Sequence, residues 1–283
     1  MVANIPSAAD QPGPSVEFSA RRFGPNGEVE QQRQSALAVE EPLEIRVRGV
    51  SYAVLMRTPG RDRDLAAGFL AAEGLLMGRE DLLALEPCLD PQTGAVAGNI
   101  LNAALAEGIA FAPRISTVSS ACGICGVRSL EELQKDSPPL ACAPPAELRL
   151  TTIHAVMDKL RASQPLFALT AGCHGAALWN YTADCCLLDV AEDIGRHNAV
   201  DKLLGACLLA DAYPLSVPVG LLLSGRISFE LVQKAWLGGI PLVVGIGMPT
   251  SLAVETAAAA GITLIGWLRD ASATVFTGST VLL

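Results

Sequence analysis

The sequence predicts an α/β protein of two domains, a small N-terminal α+β domain followed by a larger three-layer αβα domain. Three observations support this prediction. The chain has 283 residues, which is long for one compact domain and comfortable for two. Aliphatic residues dominate while aromatic residues make up only 5%, which favours helices packed on a buried aliphatic sheet. The C-terminal half then alternates strand and helix patterns, as α/β folds do.

Four segments follow from the pattern. Residues 1–38 are polar and rich in proline, which predicts a disordered or strap-like leader. Residues 39–113 contain an alternating hairpin pattern and a helical repeat from Asp64 to Leu76, and form the small α+β domain. Residues 114–146 are the least regular interior stretch, and we predict a mobile interdomain loop there, which carries the CxxC pair. Long irregular segments are uncommon unless they are functional.

The last segment, residues 147–283, is expected to form a sheet that is at least partly parallel, with helices on both faces. A helix to about Ala162 and an apolar hairpin over 176–190 come first. Predicted strands at 219–223, 242–246 and 263–268 then alternate with helices near 198–210, 228–237 and 251–260.

Composition excludes several classes of protein. The formal net charge of −9 argues against a general nucleic-acid binder, which needs lysine and arginine to replace condensed counterions. The sequence shows no export signal and no long uncharged apolar run, so we expect a soluble, cytoplasmic protein that does not enter membranes. In that compartment the eight cysteines are expected to be thiols rather than a disulfide framework.

Three polar turns follow predicted strands of the C-terminal sheet, and parallel strands bring such turns to one edge. Helix N-termini, hydroxyl groups and arginines at that edge favour a phosphate or pyrophosphate ligand. The alternative is that the serines and threonines only cap helices and that the arginines pair with nearby carboxylates. His174, in a glycine-rich turn, is equally compatible with a site or a packing role. The candidate ligand-binding residues in these turns are Arg196, His197, Arg226, Ser228, Thr250 and Ser251.

Cys122 and Cys125 form the sequence's one CxxC pair, flanked by Gly123 and Gly126. Sulfur transfer needs an exposed, mobile thiolate that takes sulfane sulfur from a persulfide and presents it to an acceptor. Zinc binding, thioredoxin-like redox chemistry and the absence of any function remain alternatives. One CxxC supplies only half of a tetrahedral zinc site, so no structural metal is expected.

The chain resembles the formate dehydrogenase accessory sulfurtransferases, the FdhD family, from about Glu40 to Thr277. The resemblance depends on several short motifs in a fixed order. They are Glu40-Glu41-Pro42-Leu43-Glu44-Ile45, Met56-Arg57-Thr58-Pro59-Gly60, Gly68-Phe69-Leu70 through Glu73-Gly74, Cys122-Gly123-Ile124-Cys125-Gly126, Glu192 to Ala199 with Asp201-Lys202, Ser224-Gly225-Arg226 with Phe229-Glu230 and Lys234, and Pro249 to Ala253.

The resemblance implies a cytoplasmic homodimer whose C-terminal domain is similar to the cytidine-deaminase fold. It implies a sulfurtransferase that takes sulfur from a cysteine desulfurase and delivers it to the bis(molybdopterin guanine dinucleotide) cofactor, a bound substrate, for formate dehydrogenase. Cys122 matches the persulfide-carrying position and Cys125 its partner. The family's C-terminal cofactor-binding segment falls at Trp267, Leu268, Arg269, Asp270, Ala271 and Ser272.

Some positions depart from the family pattern. Ala171 replaces the first glycine of a motif that usually reads Thr-Gly-Gly-x-His-x-Ala, and Gly247-Met248 replaces a more usual Ser-Ala. Two other functions remain as alternatives. One is a non-catalytic chaperone that holds the cofactor, and the other is a zinc-dependent, deaminase-like hydrolase. The hydrolase needs H-x-E and P-C-x-x-C motifs, which the sequence does not contain.

Overall fold

The computed structural model describes residues 13–23, 25–26, 29–89, 96–112, 117–118, 140–182 and 186–283. The predicted mobile loop over 114–146, with Cys122 and Cys125, lies for the most part outside these residues. Within the described residues no helix is long and apolar enough to cross a membrane.

An antiparallel hairpin occupies most of the predicted leader. Strand β1 (Ser15–Phe23) pairs with β2 (Val29–Ala38). The polar composition predicts a disordered or strap-like leader, and neither alternative specifies paired strands. Val16, Phe18 and Ala20 are two residues apart, which is the period of a strand, and so lie on one face of β1. Val16 and Phe18 are exposed, so the hairpin has little core of its own.

The small domain is a five-stranded sheet covered by one helix. Its elements are β3 (Glu41–Val47), β4 (Val50–Arg57), α1 (Asp62–Ala72), a short 3₁₀ turn (Arg79–Asp81), β5 (Leu82–Leu89), β6 (Val96–Leu105) and β7 (Thr117–Val118), in the order β5-β6-β3-β4-β7. Leu43, Ile45 and Val47 alternate along β3 and pack in one buried cluster with α1. Helix α1 ends before the predicted Leu76 because Gly74 adopts a positive φ of 77°.

The large domain contains a six-stranded sheet of order β10-β9-β11-β12-β13-β14. Strands β10, β11, β12 and β13 run in one direction, and β9 and β14 run in the other. The elements are β8 (Glu147–Leu148), α2 (Leu150–Ala162), α3 (Pro165–Thr170), β9 (His174–Asn180), β10 (Cys186–Asp193), α4 (Arg196–Leu209), β11 (Val219–Leu223), α5 (Phe229–Leu237), β12 (Leu242–Gly245), α6 (Ser251–Ala260), β13 (Thr263–Arg269), β14 (Ser272–Thr277) and β15 (Val281–Leu282).

Helices cover both faces of this sheet, so the predicted α/β class with three layers is confirmed. Leu221 and Leu223 point to one face and pack in a buried cluster with α4, α5 and α6. Leu222 and Val244 point to the other face and pack with α2. The strands at 219–223, 242–245 and 263–269 lie where the apolar runs predict them.

The two domains are joined by close contact between helices α1 and α4. A Cβ atom added at Gly68 would lie 1.9 Å from the backbone oxygen of Asp201, and one added at Gly205 would lie 1.8 Å from that of Asp64. Any side chain larger than glycine therefore collides with backbone at these two positions. The small domain is thus held directly against the helix that begins at the edge of the large sheet.

Candidate functional site

The turns after β10, β11 and β12 meet at one edge of the large sheet, as the sequence predicts. Asp193 at the end of β10 pairs with His174 at the start of β9, and Leu223 at the end of β11 pairs with both Ala176 and Gly245. Helices α4, α5 and α6 each begin at this edge, so their N-terminal backbone N–H groups face it. We call this surface, formed by residues 192–198, 224–230, 247–251 and 267–272, the strand-end edge.

Backbone hydrogen bonds hold the turns of the strand-end edge side by side. The Gly247 N–H donates to the Gly225 carbonyl oxygen at 3.0 Å, and the Trp267 N–H donates to that of Gly247 at 3.2 Å. A Cβ atom at Gly247 would lie 2.9 Å from the Arg226 backbone. Glycine at position 247 therefore permits the close approach that brings the three turns together.

A fully buried carboxylate anchors the first turn to the small domain. Asp193 forms an ion pair with the Lys202 Nζ at 2.8 Å and accepts hydrogen bonds from the N–H groups of Thr58 and Gly195 and from the Asn198 side chain. Lys202 also donates to the Thr58 carbonyl oxygen at 3.1 Å. We call these five residues the domain anchor. It fixes the start of α4, and with it Arg196 and His197.

His197 lies at the edge but already contacts two protein groups. Its Nε2 atom is 2.6 Å from the Glu230 carboxylate and 3.2 Å from the Ser228 hydroxyl. Burial alone would raise the pKa of Glu230, but the hydrogen bond to His197 and nearby positive charges hold it below its usual value. The other carboxylate oxygen of Glu230 is buried without a hydrogen-bond partner among the described residues. A ligand that contacts His197 or Ser228, as predicted, would therefore lie next to the Glu230 carboxylate.

Arg196 and Arg226 form no ion pair with Glu192 or Asp193, the carboxylates nearest to Arg196 in the sequence. Asp193 is taken by the domain anchor, and Glu192 accepts hydrogen bonds from the N–H groups of Leu166 and Phe167 at the start of α3. Within the described part of the chain neither arginine forms an ion pair, and the buried Nε of Arg196 has no hydrogen-bond partner. Arg226 is exposed. Two cationic groups are thus available at the edge for an anionic ligand.

Two residues with shifted pKa values border the arginines. Burial, together with the charges of Arg196, His197 and Arg226, lowers the pKa of His174, so its imidazole is neutral at neutral pH. The Cys173 thiol donates to the Glu192 carboxylate at 3.3 Å. Burial and that carboxylate raise the pKa of Cys173 to about 12, so this cysteine is not a thiolate nucleophile.

The predicted C-terminal segment forms the turn between β13 and β14 and presents an exposed ring. Trp267 has a positive φ of 54° and is 44% exposed, and the Arg269 guanidinium stacks over its ring at 4.9 Å. Among the described residues Arg269 and Asp270 form no ion pair, and Asp270 is exposed like Ala271 and Ser272. Leu268 is buried in the core, so only its backbone faces the edge.

The hydroxyl groups at the start of α6 differ in their contacts. The Thr250 Oγ1 accepts a hydrogen bond from the Ala253 N–H at 3.3 Å and so caps the helix. Ser251 is exposed at the first helical position. The capping alternative thus accounts for the Thr250 side chain, whereas Ser251 stays a candidate contact.

A zinc site could use Cys122 and Cys125, which lie outside the described residues, together with residues that the structure describes. Over the described ranges, no group of three or more His, Cys, Asp or Glu side chains is arranged to hold a metal ion. This finding does not cover Cys122 and Cys125, because both lie outside those ranges.

Sequence reasoning missed two parts of the site. Lys202 and Asn198 are one helical turn apart on α4, a spacing that places both on the face towards Asp193. Thr58, which contacts both Asp193 and Lys202, is 135 positions before Asp193, and no local pattern predicts that contact. Gln164 is buried beside Gly175, and no motif or spacing in the sequence indicated that it would lie there.

The fold and the strand-end edge together define a mixed α/β protein with two arginines, Arg196 and Arg226, that form no ion pair with the described residues at one edge of its large sheet. The chain belongs to the FdhD/NarQ family, whose model matches residues 38–283. Among its relatives is the sulfur carrier protein FdhD of Mycobacterium tuberculosis, 46% identical over 253 residues that cover 87% of this chain and 91% of the relative.

A second relative, the sulfur carrier protein FdhD of Anaeromyxobacter dehalogenans (strain 2CP-C), is 42% identical and covers 98% of this chain and 96% of its own length. The fold also matches a crystal structure described as that of a formate dehydrogenase accessory protein from Desulfotalea psychrophila. The match has a TM-score of 0.71 at 25% identity, and covers 93% of this chain and 97% of that one. The family resemblance found in the sequence motifs is therefore confirmed.

Proposed function

We propose that this protein is a sulfur carrier that accepts persulfide sulfur from a cysteine desulfurase and delivers it to a molybdenum or tungsten cofactor for formate dehydrogenase. The observation that carries the proposal is the pair Arg196 and Arg226, which have no carboxylate partner among the described residues at an edge where three helices begin. Relatives named sulfur carrier proteins support the sulfur chemistry.

The first proposed step loads sulfur on Cys122. The Cys122 thiolate attacks the outer sulfur of the desulfurase persulfide, a new S–S bond forms, and the S–S bond of the donor breaks. The donor cysteine leaves as a thiolate and takes up a proton, so no external oxidant or reductant is consumed. A glycine directly after each cysteine, Gly123 and Gly126, allows the backbone freedom that this handover between two proteins requires.

The second proposed step releases the sulfur. The Cys125 thiolate attacks the inner sulfur of the Cys122 persulfide, which forms a Cys122–Cys125 disulfide and expels sulfide towards the cofactor metal. The two thiols supply the two electrons that reduce sulfane sulfur to sulfide, and a cellular thiol must reduce the disulfide before the next cycle. The cofactor is the substrate of this step and not a resident group.

The strand-end edge is the proposed binding site for the bis(molybdopterin guanine dinucleotide) cofactor. Arg226, Arg196 and the helix N-termini would bind pyrophosphate oxygens, which charge-assisted hydrogen bonds favour. The exposed ring of Trp267, with Arg269 stacked on it, offers a flat surface for a heterocycle. Ser251 and Ser272 are further proposed contacts, because both hydroxyls lie at exposed positions of the edge.

Persulfide mapping tests the sulfur chemistry. The protein is incubated with a cysteine desulfurase and cysteine, and persulfides are located by mass spectrometry of peptides. We expect loading on Cys122 in the wild type, none in Cys122→Ala, and normal loading in Cys186→Ala, which removes an exposed thiol elsewhere. Normal loading and transfer by Cys122→Ala would disprove the carrier role. A protein that binds nucleotide but never carries sulfur would instead be a cofactor-binding chaperone.

Elemental analysis tests the hydrolase alternative. We expect less than stoichiometric zinc in the purified protein, because one CxxC supplies two of the four ligands that a tetrahedral site needs. One tightly held zinc per chain that is lost in Cys122→Ala would favour the zinc-dependent alternative over sulfur transfer.

A further inference from the structure

Two polar contacts, one helical turn apart, join helices α4 and α5. The inner contact is an ion pair between the Lys234 Nζ and the Asp201 carboxylate at 2.6 Å. The outer contact lies at the strand-end edge and places the His197 Nε2 atom 2.6 Å from the Glu230 carboxylate. Each helix contributes residues four positions apart, which lie on one helical face. We call the outer contact, His197 with Glu230, the edge pair.

The inner contact and the edge pair differ in how fully protein atoms satisfy them. Lys234 and Asp201 are both buried, and within the described residues neither leaves a buried side-chain atom without a partner. In the edge pair, by contrast, one buried oxygen of Glu230 has no partner among the described residues. The inner contact is therefore a structural tie between the helices, whereas the edge pair has bonding capacity left over.

The contact with Glu230 determines which nitrogen of His197 can exchange a proton. A carboxylate accepts hydrogen bonds, so the Nε2 atom carries the hydrogen that is donated to Glu230. The Nδ1 atom is then the one that gains or loses a proton. In the described part of the chain it has no hydrogen-bond partner, and unlike the Glu230 oxygen it is not enclosed by protein atoms. An imidazole with a carboxylate on one nitrogen and the other nitrogen free is the arrangement of a general acid or base.

The charges around the edge pair keep Glu230 ionised. Burial alone would raise the pKa of its carboxyl group, but the hydrogen bond to His197 and the charges of His197, Lys234 and Arg196 hold that pKa below its usual value. An ionised carboxylate favours the protonated form of the imidazole beside it. The other titratable or charged groups on the elements around the pair are Asp201 and Lys202 on α4, Arg226 in the turn before α5, Glu192 and Asp193 on β10, His174 on β9, and Asp62, Arg63 and Asp64 on α1.

A carboxylate needs an explanation at an edge that is proposed to bind an anion. Arg196, Arg226 and the helix N-termini attract phosphate, whereas an ionised Glu230 repels it. A third cation for binding could have been an arginine without any carboxylate. An arginine does not give up its proton in proteins, but histidine is the side chain that changes charge near neutral pH. The edge pair is thus suited to proton transfer and not to anion binding alone.

The proposed delivery of sulfur requires a proton at the same edge. In water a molybdenum or tungsten centre carries oxygen ligands, so an incoming sulfide has to replace one of them. An oxo ligand that leaves as water takes up two protons. The hydrosulfide ion, HS⁻, brings one of these protons, and a general acid has to supply the other.

We propose that His197 is the proton donor for this ligand exchange and that Glu230 positions its imidazole. The imidazolium gives its Nδ1 proton to the departing oxo ligand while HS⁻ forms the metal–sulfur bond and releases its own proton to the same oxygen. The products are the metal sulfide, water and a neutral imidazole, which regains a proton from solvent. The metal is neither oxidised nor reduced. This inference rests on the proposed function, because it concerns the delivery step at the strand-end edge.

Single deliveries at different pH values test the proposal. The protein is loaded with persulfide by a cysteine desulfurase, separated from it, and added between about pH 6 and about pH 9 to an extract whose formate dehydrogenase lacks sulfur. Dehydrogenase activity is then assayed at one fixed pH. The His197→Gln variant keeps a side-chain N–H near Glu230 but cannot transfer a proton. We expect its delivery to be about a hundredfold slower than that of the wild type at the acidic end, with a ratio that shrinks as the pH rises.

Two further variants complete the series. Glu230→Gln leaves His197 in place but removes its counter-charge, so delivery should be about tenfold slower and should decline at a lower pH than in the wild type. His154→Gln removes a half-buried histidine of α2 outside the edge and should deliver sulfur like the wild type at every pH. Mass spectrometry of the persulfide and calorimetry with GDP should give wild-type loading and affinity for all three variants, and circular dichroism should show that they are folded.

The outcomes distinguish a proton donor from a structural or binding residue. Delivery by His197→Gln at the wild-type rate excludes His197 as the donor. A slower delivery by the same factor at every pH, or one matched by an equal loss of GDP affinity, also overturns the inference, because His197 would then support only the fold or the ligand. The proposed function fails separately, if the loaded wild type delivers no sulfur at any pH.

Discussion

The domain anchor and the strand-end edge meet at the start of helix α4, and they differ in how many of their buried polar groups have hydrogen-bond partners. In the domain anchor, the Asp193 carboxylate has a lysine and three hydrogen-bond donors, all of them protein groups. Next to the anchor, at the strand-end edge, the buried Nε of Arg196 and one oxygen of Glu230 have no partner among the described residues. Buried polar groups are almost always paired in native proteins, so an unpaired group calls for an explanation. The comparison separates a structural network from one that a ligand completes.

The domain anchor should respond to mutation with the largest loss of stability. Lys202→Met removes the lysine and leaves the Asp193 carboxylate buried without its counter-charge. Loss of one partner from a buried pair typically costs about 3–5 kcal/mol. Urea unfolding followed by circular dichroism measures this loss. The double variant Asp193→Asn with Lys202→Met should be more stable than Lys202→Met alone, and a single variant as stable as the wild type would show that the anchor is not structural.

The crossing of α1 and α4 should be almost as sensitive. Gly205→Ala places a methyl group against the Asp64 backbone, and since backbone cannot give way as a side chain can, we expect the free energy of unfolding to fall by about 3 kcal/mol. Gly98→Ala, where nothing lies within 4 Å of the added Cβ, is the matched control and should change stability little. Equal effects of the two substitutions would argue against a tight helix crossing.

The two regions also differ in how far the sequence predicts them. Three turns of the strand-end edge were predictable, because each follows an apolar strand pattern and parallel strands place such turns together, whereas the family resemblance alone indicated residues 267–272. The domain anchor was not, since Thr58 and Asp193 are 135 positions apart and nothing local relates them. The sequence predicted a disordered or strap-like leader and not its strand pairing, because most residues of β1 are polar, although Val16 and Phe18 alternate as strand residues do.

At the strand-end edge, the expected effect falls on ligand binding and not on stability. Arg226→Ala removes an exposed cation that has no protein partner among the described residues. Loss of one charge-assisted contact costs about 1.5–3 kcal/mol, which is roughly ten- to a hundredfold in affinity for GDP by calorimetry. Arg63→Ala, which removes an exposed arginine from α1, controls for net charge. An unchanged GDP affinity in Arg226→Ala would exclude Arg226 from the site.

The smallest expected effect concerns Glu230 and pH. Because the hydrogen bond with His197 lowers the pKa of Glu230 below 4.5 in the folded protein, the carboxylate stabilises the fold above that pH. This contribution is present above the unfolded pKa and is lost as the pH falls through the lowered pKa of the folded protein. The difference in unfolding free energy between the wild type and Glu230→Gln should thus be present at pH 6 and shrink as the pH falls through that lowered pKa. A difference that grows on acidification would contradict this assignment.

Reconstitution of formate dehydrogenase tests most directly the central claim that one protein loads sulfur on Cys122 and delivers it through the strand-end edge. Wild type, Cys122→Ala and Arg226→Ala are each added with a cysteine desulfurase to an extract that lacks its own sulfur carrier. We predict that Arg226→Ala carries persulfide like the wild type but restores roughly tenfold less activity at limiting protein, as a tenfold loss of affinity implies. Cys122→Ala should neither load sulfur nor restore activity. Full restoration by either variant, or a failure of Arg226→Ala to load sulfur, would contradict the account.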